Sequence, residues 1–167
     1  ISPSRRNRKA RRAATASSIP KTLDRFFCGQ LNELPALRQD HLRTSDVKRV
    51  GPHDVMGFKR PGIQDGVFRK LRLGKYDIEA RLDLHRRTVE DARREVYRFV
   101  QDCMAHDIRC VLILPGKGDR NVNDPAVLKS YLVHWLEELE QVQAFHTAQP
   151  HHGGSGAFYV LLRKSER

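Results

Sequence analysis

The sequence predicts an α/β fold in the order β-α-β-α-β-β: a mostly parallel four-stranded sheet with two helices, preceded by an extended and partly helical N-terminal arm. Three observations carry this. Two apolar runs of strand length, residues 78–84 and 109–114, are each followed by apolar residues at helical spacing. Strand–helix–strand units favour parallel strands joined by right-handed crossovers. Two further apolar runs, 142–148 and 157–162, flank a His-His-Gly-Gly-Ser-Gly turn suited to a hairpin.

Taken in order, residues 1–20 are rich in Arg, Ala and Ser, offer almost nothing to bury, and read as a disordered basic tail. Residues 21–77 read as an arm and linker with short helices. Leu23, Phe26, Phe27 and Leu31 suggest one helix, broken at Pro35, and residues 64–73 suggest another, stopped by Gly74. Gly51-Pro52, Pro61-Gly62 and Asp65-Gly66 mark turns.

Residues 78–167 form the organised α/β domain. After the first strand, Thr88 stands as an N-cap with Asp91 three residues on. Val89, Ala92, Val96, Phe99, Val100 and Cys103 then share one helical face, opposite Arg93, Arg94, Arg98 and Asp102. Residues 109–114 are apolar on both faces, as in a buried central strand. Asp124-Pro125 reads as the start of the second helix, with Leu128, Tyr131, Leu132, Trp135, Leu136 and Leu139 inward. Two helices cover one face of such a sheet, leaving the other to residues 21–77 or to a partner.

The 167 residues, 39% of them hydrophobic, suffice for one modest domain plus extensions. The formal net charge of +11 points to a polyanionic partner. Seven basic residues and no acid lie within residues 1–21, and subtracting this +7 leaves +4 on the remainder. Cys28, Cys103 and Cys110 are odd in number and lack CxxC spacing, which argues against a disulfide framework or zinc site and fits a reducing, cytoplasmic compartment. The apolar runs are far shorter than the ~20 residues of a membrane span.

The chemistry gathers at two strand ends. In Leu82-Asp83-Leu84-His85 the leucines point one way, and a carboxylate and an imidazole the other. Phosphodiester cleavage needs a base, an acid and positive charge around the phosphate. Histidine is the side-chain type suited to either proton-transfer role near neutral pH, so His85 fits, and Asp83 can fix its tautomer or accept a proton. The same spacing also suits a structural pair tying the strand end to a loop.

Gly116-Lys117-Gly118, after the second strand, can offer N–H groups and an ammonium to a phosphate. The GxxxxGK[ST] pattern of nucleotide hydrolases is absent. His146, sharing parity with Val142 and Ala144, fits either a core-side ring or a third catalytic group. His151, His152, Gly153 and Gly154 form a turn within reach of a substrate. Arg69, Lys70, Arg72, Lys75, Arg81, Arg86 and Arg87 surround the first motif and are expected to position phosphates without reading bases. No acidic cluster accompanies Asp83 and His85, so no metal or small-molecule cofactor is expected.

These residues resemble the small MutS-related (Smr) domain family, and bacterial stand-alone members in particular. The likeness runs from Phe68-Arg69-Lys70-Leu71-Arg72-Leu73-Gly74-Lys75-Tyr76 through Leu82-Asp83-Leu84-His85 and Gly116-Lys117-Gly118. It continues into Val142-Gln143-Ala144-Phe145-His146-Thr147-Ala148 and Gly153-Gly154-Ser155-Gly156-Ala157. It implies a two-layer α/β sandwich and endonuclease activity, nicking DNA or cleaving RNA, including mRNA on stalled ribosomes. Asp83 and His85 are the implied catalytic pair.

There are two departures. The family's usual Gly after Asp-Leu-His is Arg86 here, and the His opening the second-motif loop is Pro115. His146, His151 or His152 can replace that imidazole. The expected function is therefore a monomeric, metal-independent endonuclease acting on DNA or RNA. The alternatives are a catalytically impaired nucleic-acid- or ribosome-binding module, or a domain docking on an acidic protein.

Overall fold

The computed structural model describes residues 47–118 and 126–165. The basic tail, the helix expected over Leu23 to Leu31, Cys28 and the Asp124-Pro125 helix start lie outside the described residues. The described elements are β1 (Gly57–Lys59), α1 (Asp65–Arg72), β2 (Ala80–Asp83), α2 (Val89–Ala105), β3 (Cys110–Leu114), α3 (Val127–Glu138), β4 (Val142–Thr147) and β5 (Phe158–Leu162). Two short 3-10 turns, Pro150–His152 and Gly154–Gly156, lie between β4 and β5.

Local sequence accounts for the helices. Thr88 Oγ1 accepts from the Asp91 N–H at 3.2 Å and donates to the Asp91 carboxylate at 2.9 Å, so α2 starts where the capping pattern places it. Ala92, Val96, Val100 and Cys103 of α2 and Leu132, Trp135 and Leu136 of α3 are buried on one face of the sheet. Each fully buried large aliphatic or aromatic side chain there contributes roughly 1.5–3 kcal/mol.

The strand order is β1-β4-β5-β3-β2, and only β2 and β3 run parallel. Among the described residues this corrects the expected mostly parallel four-stranded sheet with two helices to a mixed five-stranded sheet with three. The α3 crossover does return the chain in the direction of β3, but one strand further out. The hairpin strand β5 fills that gap, antiparallel to both neighbours. β1 has three residues, too few for any period to show, and pairs with β4 through Phe58 and Phe145, whose rings stack at 5.5 Å.

The second face is covered from the arm. Leu71 of α1 is buried against Leu112, Ala144, Tyr159 and Leu161, with Val67 and Phe68 beside it. Arg60 fastens the arm to the end of α3, its guanidinium donating to the Glu137, Leu139 and Val142 carbonyls. A register shift between Val142 and Ala144 sends those two side chains to opposite faces, so the parity expected for His146 holds with Ala144 but not with Val142. Burial pushes the Cys103 and Cys110 thiols up to about 12, which leaves neither available as a thiolate at neutral pH.

Candidate active site

β2 is an edge strand, and its carboxyl end is fixed by the Leu84 N–H donating to the Leu114 carbonyl at 2.8 Å. Ala80 and Leu84 are buried under the α2/α3 face, so Arg81 and Asp83 project on the α1 side. The chain then turns: the Arg87 N–H donates to the Leu84 carbonyl at 3.1 Å, with Arg86 at φ 62°. A positive φ at the third position is the mark of a type II turn, where glycine is preferred. Arg86 occupies it at a steric cost of about 1–2 kcal/mol.

Arg86→Gly is therefore expected to raise stability by up to about 1 kcal/mol, part of the relief being offset by a freer unfolded chain. It should also weaken nucleic-acid binding severalfold at low salt. A urea midpoint lower than that of the parent would contradict the strain.

The turn holds His85 against Asp83. One carboxylate oxygen, Oδ1, accepts both the His85 backbone N–H at 3.0 Å and the ring Nδ1 at 2.5 Å. Nδ1 therefore carries the shared proton, and among the described residues no protein group hydrogen-bonds Nε2. The side chains of His85 and Asp83 are 60% and 54% exposed, so a substrate can reach both. Burial alone would raise the Asp83 pKa. The hydrogen bonds from the His85 ring and backbone, with the charges of His85 and Arg81, outweigh it and hold the carboxyl below its ordinary value.

The glycine loop lies beside this pair. A methyl group placed on Gly116 would sit 3.8 Å from His85 Cβ. Gly116 (φ 85°) and Gly118 (φ 74°) both take left-handed backbone, which accounts for two glycines around an exposed Lys117. The Gly116 N–H is spent on the Gly156 carbonyl at 3.2 Å, so it is not available to a phosphate. Gly156 lies against Lys117, where any added Cβ would meet the Lys117 backbone N at 3.2 Å. Pro115 is buried.

The remaining predicted residues divide. His151 and His152 stack at 4.0 Å between ring centroids, and His152 Nδ1 lies 2.5 Å from the Tyr159 hydroxyl. Gly153 and Gly154 turn the chain with φ of 115° and 57°, and Gly153 lies over Leu114, the β3 partner of Asp83. Arg72 is exposed, its carbonyl accepting from Gln149. Arg87 pairs with Glu95 at 3.2 Å.

His146 does not join the group. It pairs with Tyr159 on β4, three strands from β2, and its Nδ1 donates to the Thr147 carbonyl at 2.8 Å. Its ring meets Phe68 edge-on at 5.8 Å and lies close against Gly57. The β4 register carries it under α1, where it serves packing.

Tyr159 escaped sequence reasoning because a tyrosine inside Phe-Tyr-Val-Leu-Leu reads as one more core residue. A cavity of about 710 Å³ lies elsewhere, at the amino end of β3, lined by Gln64, Tyr76, Glu79, Arg109, Cys110 and Gln143 among others; it includes none of the predicted site residues. Among the described residues no group of three His, Cys, Asp or Glu side chains could hold a metal ion, and no helix is long and apolar enough to cross a membrane.

The family model described as "Smr domain" matches residues 82–163, from the start of the Asp83–His85 motif to just past β5. The chain belongs to the Smr family. Over 140 residues it is 49% identical to "Probable DNA endonuclease SmrA" of Escherichia coli strain K12, covering 80% of this chain and 75% of that one. It is 31% identical over 118 residues to "Ribosome rescue factor SmrB" of Photobacterium profundum, covering 71% of this chain and 64% of that protein. Among solved structures it is similar to YdaL, a stand-alone small MutS-related protein from Escherichia coli. That match has a TM-score of 0.67 and 45% identity, covering 77% of this chain and 98% of YdaL.

Proposed function

We propose that this chain is an endonuclease that cleaves phosphodiester bonds internally by acid–base chemistry at Asp83 and His85, with RNA as the preferred substrate. One observation carries the reading: the exposed carboxylate–imidazole couple at the end of β2, beside the Gly116–Gly118 loop, with Nε2 unbonded to protein among the described residues. An imidazole base suffices for RNA, which brings its own nucleophile. The 2′-hydroxyl gives its proton to His85 Nε2, the 2′-oxygen bonds to phosphorus, and the bond to the 5′-oxygen breaks, that oxygen taking a proton from water. The products are a 2′,3′-cyclic phosphate and a 5′-hydroxyl. DNA lacks that hydroxyl and needs an activated water, for which a metal is the usual source.

Arg72, Arg81, Arg86, Arg87 and Lys117 are exposed, three of them within four residues of the couple in sequence, and supply phosphate contacts. Binding governed by such contacts weakens steeply with salt, with log K falling by about 0.7 per contact against log salt on single strands. Affinity that stays flat from 50 to 200 mM salt would count against this interface.

The names of the relatives support both a nuclease and a ribosome-associated role. A second reading, a ribosome- or nucleic-acid-binding module without turnover, is favoured by Pro115 in place of the family's histidine. Incubation with supercoiled plasmid and with structured RNA, in EDTA and without it, separates the two. The nuclease reading expects RNA cleavage that persists in EDTA and disappears in Asp83→Ala and His85→Ala.

A further inference from the structure

The site holds a second imidazole wired in the opposite sense to His85. Tyr159 is 1% exposed, so its hydroxyl proton needs an acceptor inside the protein. The hydroxyl oxygen accepts the Gln149 N–H at 3.3 Å, and its other partner is His152 Nδ1 at 2.5 Å. The proton therefore goes to Nδ1, and His152 carries its own hydrogen on Nε2. Among the described residues, no protein group hydrogen-bonds that Nε2. Burial, together with the neighbouring His151 and Arg81, holds the ring below the ordinary histidine value, so it is neutral at pH 7.

His152 also lies on the right ground. Asp83 is paired with Leu114, Leu114 lies under Gly153, and Gly153 follows His152. The same stretch returns to the glycine loop, where the Gly156 carbonyl accepts the Gly116 N–H at 3.2 Å. The charge of Arg81 acts on both the Asp83 carboxylate and the His152 ring.

We infer that His152 is a neutral hydrogen-bond donor to the phosphate that His85 serves, its Nε2–H tautomer fixed by Tyr159. This deepens the nuclease reading and rests on it. One ring, held by a carboxylate, offers a lone pair; the other, held by a phenol, offers a hydrogen. The first accepts the nucleophile's proton. The second stabilises a non-bridging oxygen as negative charge builds on it, and transfers no proton.

The test compares wild type, His152→Ala and His152→Gln on a defined RNA, alongside the ring-nitrogen NMR spectrum of the wild type with and without a short single-stranded RNA. His152→Ala is expected to lose about 100-fold in kcat with KM within threefold of the parent. His152→Gln, whose amide N–H can stand in for Nε2–H, is expected within tenfold of wild type. The spectrum at pH 7.5 should show His152 protonated at Nε2 and bare at Nδ1, with Nε2 shifting when the RNA is added.

Full activity in His152→Ala, or glutamine as slow as alanine, overturns the inference. So does the opposite tautomer, or an Nε2 signal indifferent to RNA. An inactive wild type would overturn the nuclease reading instead, and the RNA titration would still decide whether His152 meets a phosphate.

Discussion

His85→Ala is expected to lower RNA cleavage about a thousandfold, with the urea midpoint unchanged. The ring is held at Nδ1 by the carboxylate at the strand end, which leaves Nε2 for the substrate. Removing it deletes the base, and positioned proton transfer contributes about 10² to 10⁴ in rate. It deletes little packing, since the side chain is 60% exposed. Asp83→Asn should cost about as much. The amide nitrogen can donate to Nδ1 and stabilise the other tautomer, which turns Nε2 into a donor and removes the base without removing the ring.

The pH dependence separates the two groups. The Asp83 pKa is held below the usual carboxylate value, so its contribution is present at every pH above that and disappears only as pH falls through the lowered value. A loss of activity between pH 7 and 5 would therefore report an imidazole rather than Asp83. Unchanged turnover in His85→Ala would remove the site assignment outright.

Lys129→Met carries the largest expected effect on stability, a loss of about 3 kcal/mol. Lys129 is 1% exposed, yet its ammonium is held by three carbonyls: Gly51 at 3.1 Å, Pro52 at 3.2 Å and Asp54 at 2.7 Å. Methionine keeps most of the volume and removes all three donors. Hydrogen bonds to a charged group are worth about 1.5–3 kcal/mol each, part of which solvent recovers when the turn loosens. The same turn is held by Ser130, whose Oγ accepts the Val50 N–H at 2.8 Å. Faster amide exchange confined to residues 50–56 should accompany the loss. A midpoint unchanged in Lys129→Met, with exchange unaltered, would mean the turn is held by other contacts.

Much of the fold could be read from periodicity. α2 and α3 bury the faces their spacing predicted, and the parity of Leu82, Asp83, Leu84 and His85 put the acid and the imidazole on one side. Sheet order was not legible, because a crossover fixes the direction of β4 but not how many places it skips. β1 was too short to show a pattern, although it completes the edge that packs Phe58 on Phe145. A bulge at residues 142–144 and the α1 contact with Phe68 made His146 a packing residue, and neither has a sequence signal.

The His152–Tyr159 bond was equally hidden. Two histidines beside two glycines look solvated until the buried hydroxyl beneath them is seen. Arg86 was legible as an oddity and explained only by the turn: the chain places a long cation where the backbone favours glycine.

The central claim is that the Asp83–His85 couple activates a hydroxyl already present on the substrate. The direct measurement is end-group analysis of a short RNA cleaved by the purified chain in EDTA. A 2′,3′-cyclic phosphate on one fragment and a 5′-hydroxyl on the other is the predicted result. A 5′-phosphate with a 3′-hydroxyl, or cleavage that stops when EDTA is added, would contradict it.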